Sequence, residues 1–293
     1  MAREHPHALD PETLELFARK GTQLFDYRSL DPGAEVPQVG EINAVKVRRV
    51  MQLLTDFARG PVADLRIFDF GCAEGVYSIE AALRGASVKA FDARTARMDL
   101  GRNAAQRLGL ENLRFEQADI RGIDADSHGT ADVVLLLGIL YHLDTADLFK
   151  VLHNVHALCR QFVIIETWVS LQPLEQFEYD GISYQGARVR EHANRDSAAQ
   201  RDRRLLASTD NTFSFRPTRE SLFSALHNVG FTSICECHVP LYPGMPQDRV
   251  TLVAARGEPV KLSSYPWINE LGEADIARRL GDYAAGLTRR PQK

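Results

Sequence analysis

The stretch Ile67-Phe68-Asp69-Phe70-Gly71-Cys72-Ala73-Glu74-Gly75-Val76-Tyr77 decides how the rest of the chain is read. An apolar run (Leu65, Ile67, Phe68, Phe70) ends in a turn with glycines four apart, and an apolar-periodic helix comes next. That pattern is a strand, a tight turn and a helix N-terminus. Gly71 and Gly75 let the backbone turn and approach a ligand with no Cβ in the way. The unpaired N–H groups of the helix start then favour an anionic group. The dinucleotide fingerprint is G-x-G-x-x-G, whereas this turn carries Ala73 at its middle position.

The strands beyond the turn give it meaning. Ser87 to Phe91 reads as a second strand ending at Asp92, which stands 21 residues after Gly71. That is near the ~20 at which an acidic side chain receives ribose hydroxyls in a mononucleotide-binding unit. A third strand, Leu113 to Gln117, ends at Ala118-Asp119-Ile120. A fourth, Asp132 to Leu137, ends in Gly138-Ile139-Leu140-Tyr141-His142. Four consecutive strands thus bring a turn, two acids and a polar aromatic pair to their carboxyl ends, the edge at which open α/β sheets bind ligands. A nicotinamide cofactor fits less well, because the third-glycine pattern is missing and a second acid is present.

This ordered set resembles the class I S-adenosylmethionine-dependent methyltransferases over roughly residues 43 to 256. The resemblance implies an α/β fold: a Rossmann-like, seven-stranded, mostly parallel sheet with helices on both faces. It implies S-adenosyl-L-methionine as cofactor. The turn (Asp69, Gly71, Cys72, Gly75) would meet its methionine end, Asp92 with Ala93 its ribose, and Asp119 with Ile120 its adenine. Gly138 to His142 would face the methyl group and the substrate. Many family members carry glycine where this chain has Ala73, and an alanine is tolerated there if its φ is negative.

The chain has 293 residues, 44% hydrophobic and 25% charged, with net charge −4. Such a length suits one large α/β domain with appendages or two small domains. The composition suits a protein with a real core and no global attraction to nucleic acid. No run reaches the ~18 apolar residues of a membrane span, and the first residues show no apolar signal region. The four cysteines (Cys72, Cys159, Cys235, Cys237) lack disulfide or zinc spacing, which fits a reducing cytoplasm.

Asp10-Pro11 starts one helix well, residues 26–42 read as a loop, and Asn43 begins a second helix with Val47, Val50, Met51, Leu54 and Phe57 on one face. Lys46, Arg48 and Arg49 take the other face. Residues 1–60 are expected to form an N-terminal helical cap, 61–257 the methyltransferase domain and 258–293 a helical tail. Thr145 caps a helix that leads into a fifth strand, Phe162 to Ile165, and then Glu166-Thr167-Trp168. From 171 to 211 the apolar period disappears and charge rises. So long a tract is often a functional lid; it is expected to be a substrate-side insertion holding Tyr184, Arg190 and His192, although its arginines equally suit a solvated surface. Thr218 caps a further helix closed by Gly230. Strands at 231–239 and 250–255 close the sheet, and the loop between them offers Tyr242 and Arg249 to the same edge. Cys235, Cys237 and His238 allow a metal reading, but Cys235 and Cys237 share a strand face and His238 points away, which favours buried structural thiols.

Methyl transfer from a sulfonium needs acceptor, carbon and sulfur in line, and a base if the acceptor is a hydroxyl. His142 is the expected base, since its reference pKa lies near neutrality, with Tyr141 packing on cofactor or substrate; the alternative is a histidine that anchors the loop. Glu166, His192 and Asn211 belong to the same rim, and no metal is expected. The segments Leu137 to Leu143, Asn211 to Thr218 and Lys46 to Arg49 look like those of the wobble-uridine tRNA methyl- and carboxymethyltransferases. In the carboxymethyl-transferring members basic residues hold an extra cofactor carboxylate, and Lys46 and Arg249 are the counterparts. Three functions are therefore expected: a small-molecule O- or N-methyltransferase, a tRNA-modifying enzyme, or a non-catalytic cofactor-binding regulator. The small-molecule acceptor is favoured, because the chain is net acidic and lacks a basic N-terminal extension.

Overall fold

The computed structural model describes residues 39–204, 207–238 and 246–259, with Arg278 and Gly281 beyond them. In chain order α1 (Val39–Phe57) leads into β1 (Arg66–Phe70), α2 (Val76–Leu83), β2 (Ser87–Asp92), α3 (Thr95–Arg107) and β3 (Leu113–Gln117). The short α4 (Ala125–His128), β4 (Ala131–Leu137), α5 (Thr145–Leu158) and β5 (Cys159–Trp168) follow. Next come β6 (Glu175–Tyr179), β7 (Ile182–Arg190), α6 (Ala198–Asp202) and β8 (Phe213–Pro217). The last elements are α7 (Arg219–Asn228), β9 (Ser233–Glu236) and β10 (Arg249–Ala255).

Seven strands form one sheet in the order β3-β2-β1-β4-β5-β10-β9. The five at β3 to β5 pair in parallel, and β10 runs antiparallel to both β5 and β9. Right-handed crossovers force this layering, since each parallel connection carries a helix over one face. Side chains alternate accordingly, and both faces are buried. Phe68, Phe70, Leu136, Val163 and Ile165 pack with the apolar stripes of α5 and α7. Ile67, Leu135, Phe162 and Ile164 pack with α1, α2 and α3. Strand order reverses between β1 and β4, which opens a crevice at their carboxyl ends.

Several expectations shift by a few residues. The helix expected from Asn43 begins at Val39, so residues 39–42 are helical, and its apolar face (Val47, Val50, Met51, Leu54) is buried as expected. On the opposite face Arg49 is 5% exposed and donates through Nη1 to Thr251 Oγ1 at 3.0 Å. Asp144 rather than Thr145 caps α5 by accepting from the Asp147 N–H. Cys235 is exposed and Cys237 half-buried, so the buried-thiol expectation fails there, while Cys72 and Cys159 are buried. Residues 1–258 and 259–293 form two compact units. The helix expected from Asp10, Tyr242 and nearly all of the tail lie outside the described residues. Among the described residues no helix is long and apolar enough to cross a membrane.

The tract from 171 to 211 contains more regular structure than its composition suggests. β6, β7 and β8 form a separate three-stranded antiparallel sheet. Phe149 of α5 meets its inner side, with the Tyr184 ring at 4.3 Å and the Tyr179 ring at 5.0 Å. The Phe215 N–H of β8 donates to Leu143 O at 2.8 Å. That bond fixes the small sheet to the segment that leaves β4.

Candidate active site

The turn after β1 is built on alternating left-handed residues: φ is 72° at Gly71, 53° at Ala73 and 74° at Gly75. Ala73 therefore does not keep the negative φ expected of it. Its left-handed backbone costs about 1–2 kcal/mol relative to an ordinary conformation. The Gly71 and Cys72 N–H groups donate to Phe91 O at 2.8 and 2.9 Å, and the Gly75 N–H to Cys72 O at 2.7 Å. A Cβ on Gly71 would sit 2.8 Å from Ile139 Cγ1, and one on Gly75 would collide with the Phe115 ring. Asp92 holds the turn from the next strand: its Oδ2 accepts the Ala73 N–H and its Oδ1 the Arg94 N–H, both at 2.9 Å. Beneath the turn Asp69 is 1% exposed and accepts from Ser78 Oγ at 2.6 Å. Burial pushes its carboxyl up to about 7, against the pull of the Ser78 hydrogen bond.

A cavity of about 430 Å³ lies along the carboxyl ends of β2, β1, β4 and β5, within the size range of small-molecule sites. Of the sequence-derived candidates, Lys46, Gly71, Asp92, Ala93, Asp119 and Ile120 line it. So do Gly138, Tyr141, His142, Glu166, Asn211 and Arg249. Asp69, Cys72 and Gly75 are not among its lining residues. Tyr184 also lies elsewhere, 3% exposed in the core between α5 and the small sheet, where its hydroxyl accepts from Asn228 Nδ2 at 3.1 Å. Arg190 is exposed, stacked over Phe213 and donating to Asn194. His192 is fully buried, its Nε2 2.8 Å from Ser208 O.

The two acids stand in different surroundings. Asp92 binds the turn, whereas Asp119 is clasped by the guanidinium of Arg121, with Nε 2.9 Å and Nη2 2.5 Å from Oδ2. Burial raises the Asp119 pKa, but the Arg121 hydrogen bonds and charge bring it below the ordinary value. Arg121 also reaches Asp147 at 3.1 Å and Asp210 at 2.8 Å. Arg94 donates to Ala207 O and Ser208 O, each at 2.9 Å. Both arginines thus tie residues 207–210 over the acid-bearing part of the cavity. Sequence reading missed them, although a shared signal was present: each stands two residues after its acid, in Asp92-Ala93-Arg94 and Asp119-Ile120-Arg121.

The β5 side carries the opposite charge. Arg249 forks onto Glu166, Nε to Oε1 at 2.8 Å and Nη2 to Oε2 at 2.9 Å, and Lys46 Nζ approaches Oε1 at 3.6 Å. Burial pushes the Glu166 carboxyl up, yet Arg249 and Lys46 bring it below the ordinary range. Burial lowers the Lys46 ammonium despite Glu166. Register places these groups, since β5 and β10 pair Trp168 with Arg249 and Glu166 with Thr251. Trp168 lies under Arg249, 5.1 Å from guanidinium to ring centre. Tyr77, a further lining residue with no sequence signal, is half-buried in the first turn of α2.

Between the two sides stands His142, in a 3-10 turn (Leu140–His142) directly after β4. Its Nδ1 lies 3.0 Å from Glu191 Oε2, and the Tyr141 ring packs on it at 4.3 Å. Asn211 Nδ2 donates to His142 O at 3.1 Å and to Phe213 O at 2.7 Å. Sequence reading did not single out Glu191, because a carboxylate between Arg190 and His192 looks like any charged surface position.

Residues 67–161 match the family described as a methyltransferase domain. Curated relatives are ubiquinone biosynthesis O-methyltransferases. That of Azotobacter vinelandii is 29% identical over 134 residues, covering 46% of this chain and 54% of the relative. That of Methylocella silvestris is 30% identical over 151 residues, covering 48% and 57%. The chain therefore spans about half the length of the curated relatives it matches. Among solved structures, the N-terminal domain of EvdMO1, crystallised with SAH and D-fucose, superposes with TM-score 0.59 at 20% identity, covering 81% of this chain and all of that one. Magnesium protoporphyrin IX methyltransferase from Synechocystis PCC 6803 with bound SAH gives 0.50 at 16% identity, covering 79% and 93%. At such identities these two attest the fold, whereas the family match rests on the segment that begins at the glycine turn. Residues 67–161 thus match a methyltransferase domain, and they lie within a fold shared with solved methyltransferases that bind S-adenosylhomocysteine.

Proposed function

We propose that the chain transfers a methyl group from S-adenosylmethionine to a hydroxyl of a small organic molecule, within a catalytic domain spanning 61–257 that uses the tract at 171–211 on its substrate side. The observation that carries this reading is His142, at the cavity edge, with its Nδ1 engaged by the buried Glu191 carboxylate. That contact leaves Nε2 to accept a proton. The curated relatives are named for O-methylation in ubiquinone biosynthesis, and none of the relatives named above is described as acting on tRNA.

The cavity suits the cofactor: Gly71 of the turn lines it without a side chain, and Asp92 stands beside it. When bound, S-adenosylmethionine supplies a methyl group on a positively charged sulfur. Asp92 keeps lone pairs beyond those used by the two backbone N–H groups and accepts from the ribose hydroxyls. Asp119 and Ile120 face the adenine. Lys46 and Arg249, two cations around one carboxylate, suit an acidic group of a ligand. Asp69 acts from beneath, holding the turn. His142 takes the acceptor's proton, a role worth about 10²- to 10⁴-fold in rate, while Tyr141 and Asn211 fix the segment that carries it.

Calorimetry with S-adenosylhomocysteine and transfer of labelled methyl to phenols and catechols test this together. His142→Ala should lower kcat about 100-fold or more while changing product affinity less than about threefold. Equal losses in both make the histidine structural, and methyl transfer confined to amines removes the hydroxyl acceptor.

A further inference from the structure

We propose that Glu191 is the positioning residue of the transfer step, fixing the His142 ring as the Nδ1–H tautomer so that the Nε2 lone pair faces the acceptor. This rests on the reading of His142 as the base. Glu191 Oε2 lies 3.0 Å from His142 Nδ1 and also accepts the Ser208 N–H at 2.9 Å. A carboxylate can only accept, so Nδ1 must donate to it. Free histidine side chains favour the opposite tautomer, and the site therefore selects against the ring's own preference. The Glu191 side chain is 7% exposed, so water does not compete well for it. Burial alone would raise its pKa, but His142 and the Ser208 N–H bring it below the ordinary value, and it stays charged at neutral pH.

The carboxylate is held from both sides. Glu191 follows β7 directly, with its N–H donating to Thr212 O at 2.9 Å. Ser208 O accepts from Arg94 Nη2 at 2.9 Å and lies 2.8 Å from His192 Nε2. Ser208 Oγ donates to Asn211 O at 2.8 Å. His192 and Asn211 thus hold Ser208, whose N–H binds the carboxylate. In the step, the acceptor O–H bond breaks and an Nε2–H bond forms. The positive charge that appears on the ring is then offset by the carboxylate already hydrogen-bonded to it. Nothing is oxidised or reduced.

The test reads the tautomer in the full chain without any acceptor. Long-range ¹H–¹⁵N spectra of the histidine rings, with His142 assigned by its loss in His142→Gln, should show Nδ1–H alone for its neutral ring. In Glu191→Gln the amide can accept or donate, and the Nε2–H form should grow at least about tenfold relative to the wild type. An Nε2–H ring in the wild type, or an unchanged ratio in folded Glu191→Gln, overturns the proposal. If that variant does not fold, the wild-type tautomer still decides, together with Glu191→Asp. In turnover, Glu191→Gln should lower kcat about 10- to 100-fold with KM within about threefold, and Glu191→Asp should recover part of it. Normal turnover by His142→Ala, with the tautomer as expected, would instead remove the base assignment and this proposal with it, while leaving the His142–Glu191 contact intact.

Discussion

At the scale of single residues, Ala73 and Asp69 show a turn held in a conformation that its own side chains disfavour. Ala73 has φ 53° with its N–H committed to Asp92. Replacing it by glycine removes the Cβ penalty but adds freedom to the unfolded chain. Ala73→Gly should therefore gain a net of about 0.5–1 kcal/mol in urea unfolding; a loss would show that the left-handed strain is not there. For Asp69, the folded group titrates at about 7, well above the ordinary aspartate value of 3.8. Between those values the unfolded chain has released a proton that the folded chain keeps. Stability thus falls as pH rises across that window and levels off above it, a loss of up to about 4 kcal/mol. Asp69→Asn should gain on the wild type by about 2–4 kcal/mol between pH 5 and pH 8; a pH-independent difference would sink this account. The acids Asp92 and Asp119 were legible because strand exits recur at fixed chemistry. Their arginine partners and Glu191 were not, since a long or charged side chain can reach many positions and its sequence neighbours do not say which.

At the scale of elements, the parallel strands could be read because burial on both faces demands continuous apolar runs. The strands β6 and β7 could not. They expose most of their side chains on one face, so they carry charge where a core strand carries valine. One local signal did mark them. Asp180-Gly181, with φ 50° and 72°, is the residue pair favoured in a two-residue hairpin turn with both central residues left-handed. Gly181→Val should cost about 1–2 kcal/mol and slow or abolish formation of the hairpin, read by protease sensitivity at 175–190 with the large sheet unaffected. A second element test concerns residues 207–210, which Arg94 binds through carbonyl oxygens. Arg94→Ala removes charge-assisted bonds worth about 1.5–3 kcal/mol each. Amide exchange at 207–211 should then accelerate at least tenfold while α7 amides keep their protection; uniform acceleration would show global destabilisation instead.

At the scale of the whole molecule, the edge at which the cavity opens could be read from the sequence, because strand exits follow from the alternation of strand and helix. It could not assign which charged residues face the cavity and which, like Arg190, face solvent. Occupancy of that edge should register in the stability of the domain as a unit. S-adenosylhomocysteine at 100 times its Kd should raise unfolding free energy by about 2.7 kcal/mol. Asp92→Ala should remove most of that gain, and an identical gain in the variant would mean that the acid takes no part.

The two sides of the cavity also differ in sign. Around Arg121, carboxylates outnumber guanidinium groups, whereas around Glu166 the cations Lys46, Arg49 and Arg249 outnumber the carboxylate. Three inter-strand steps, about 14 Å, separate the β2 and β5 exits. A field of fixed direction therefore runs along the floor of the crevice. A zwitterion entering it is turned before it touches anything, its acid drawn toward β5, so that orientation begins at a distance and weakens as salt is added.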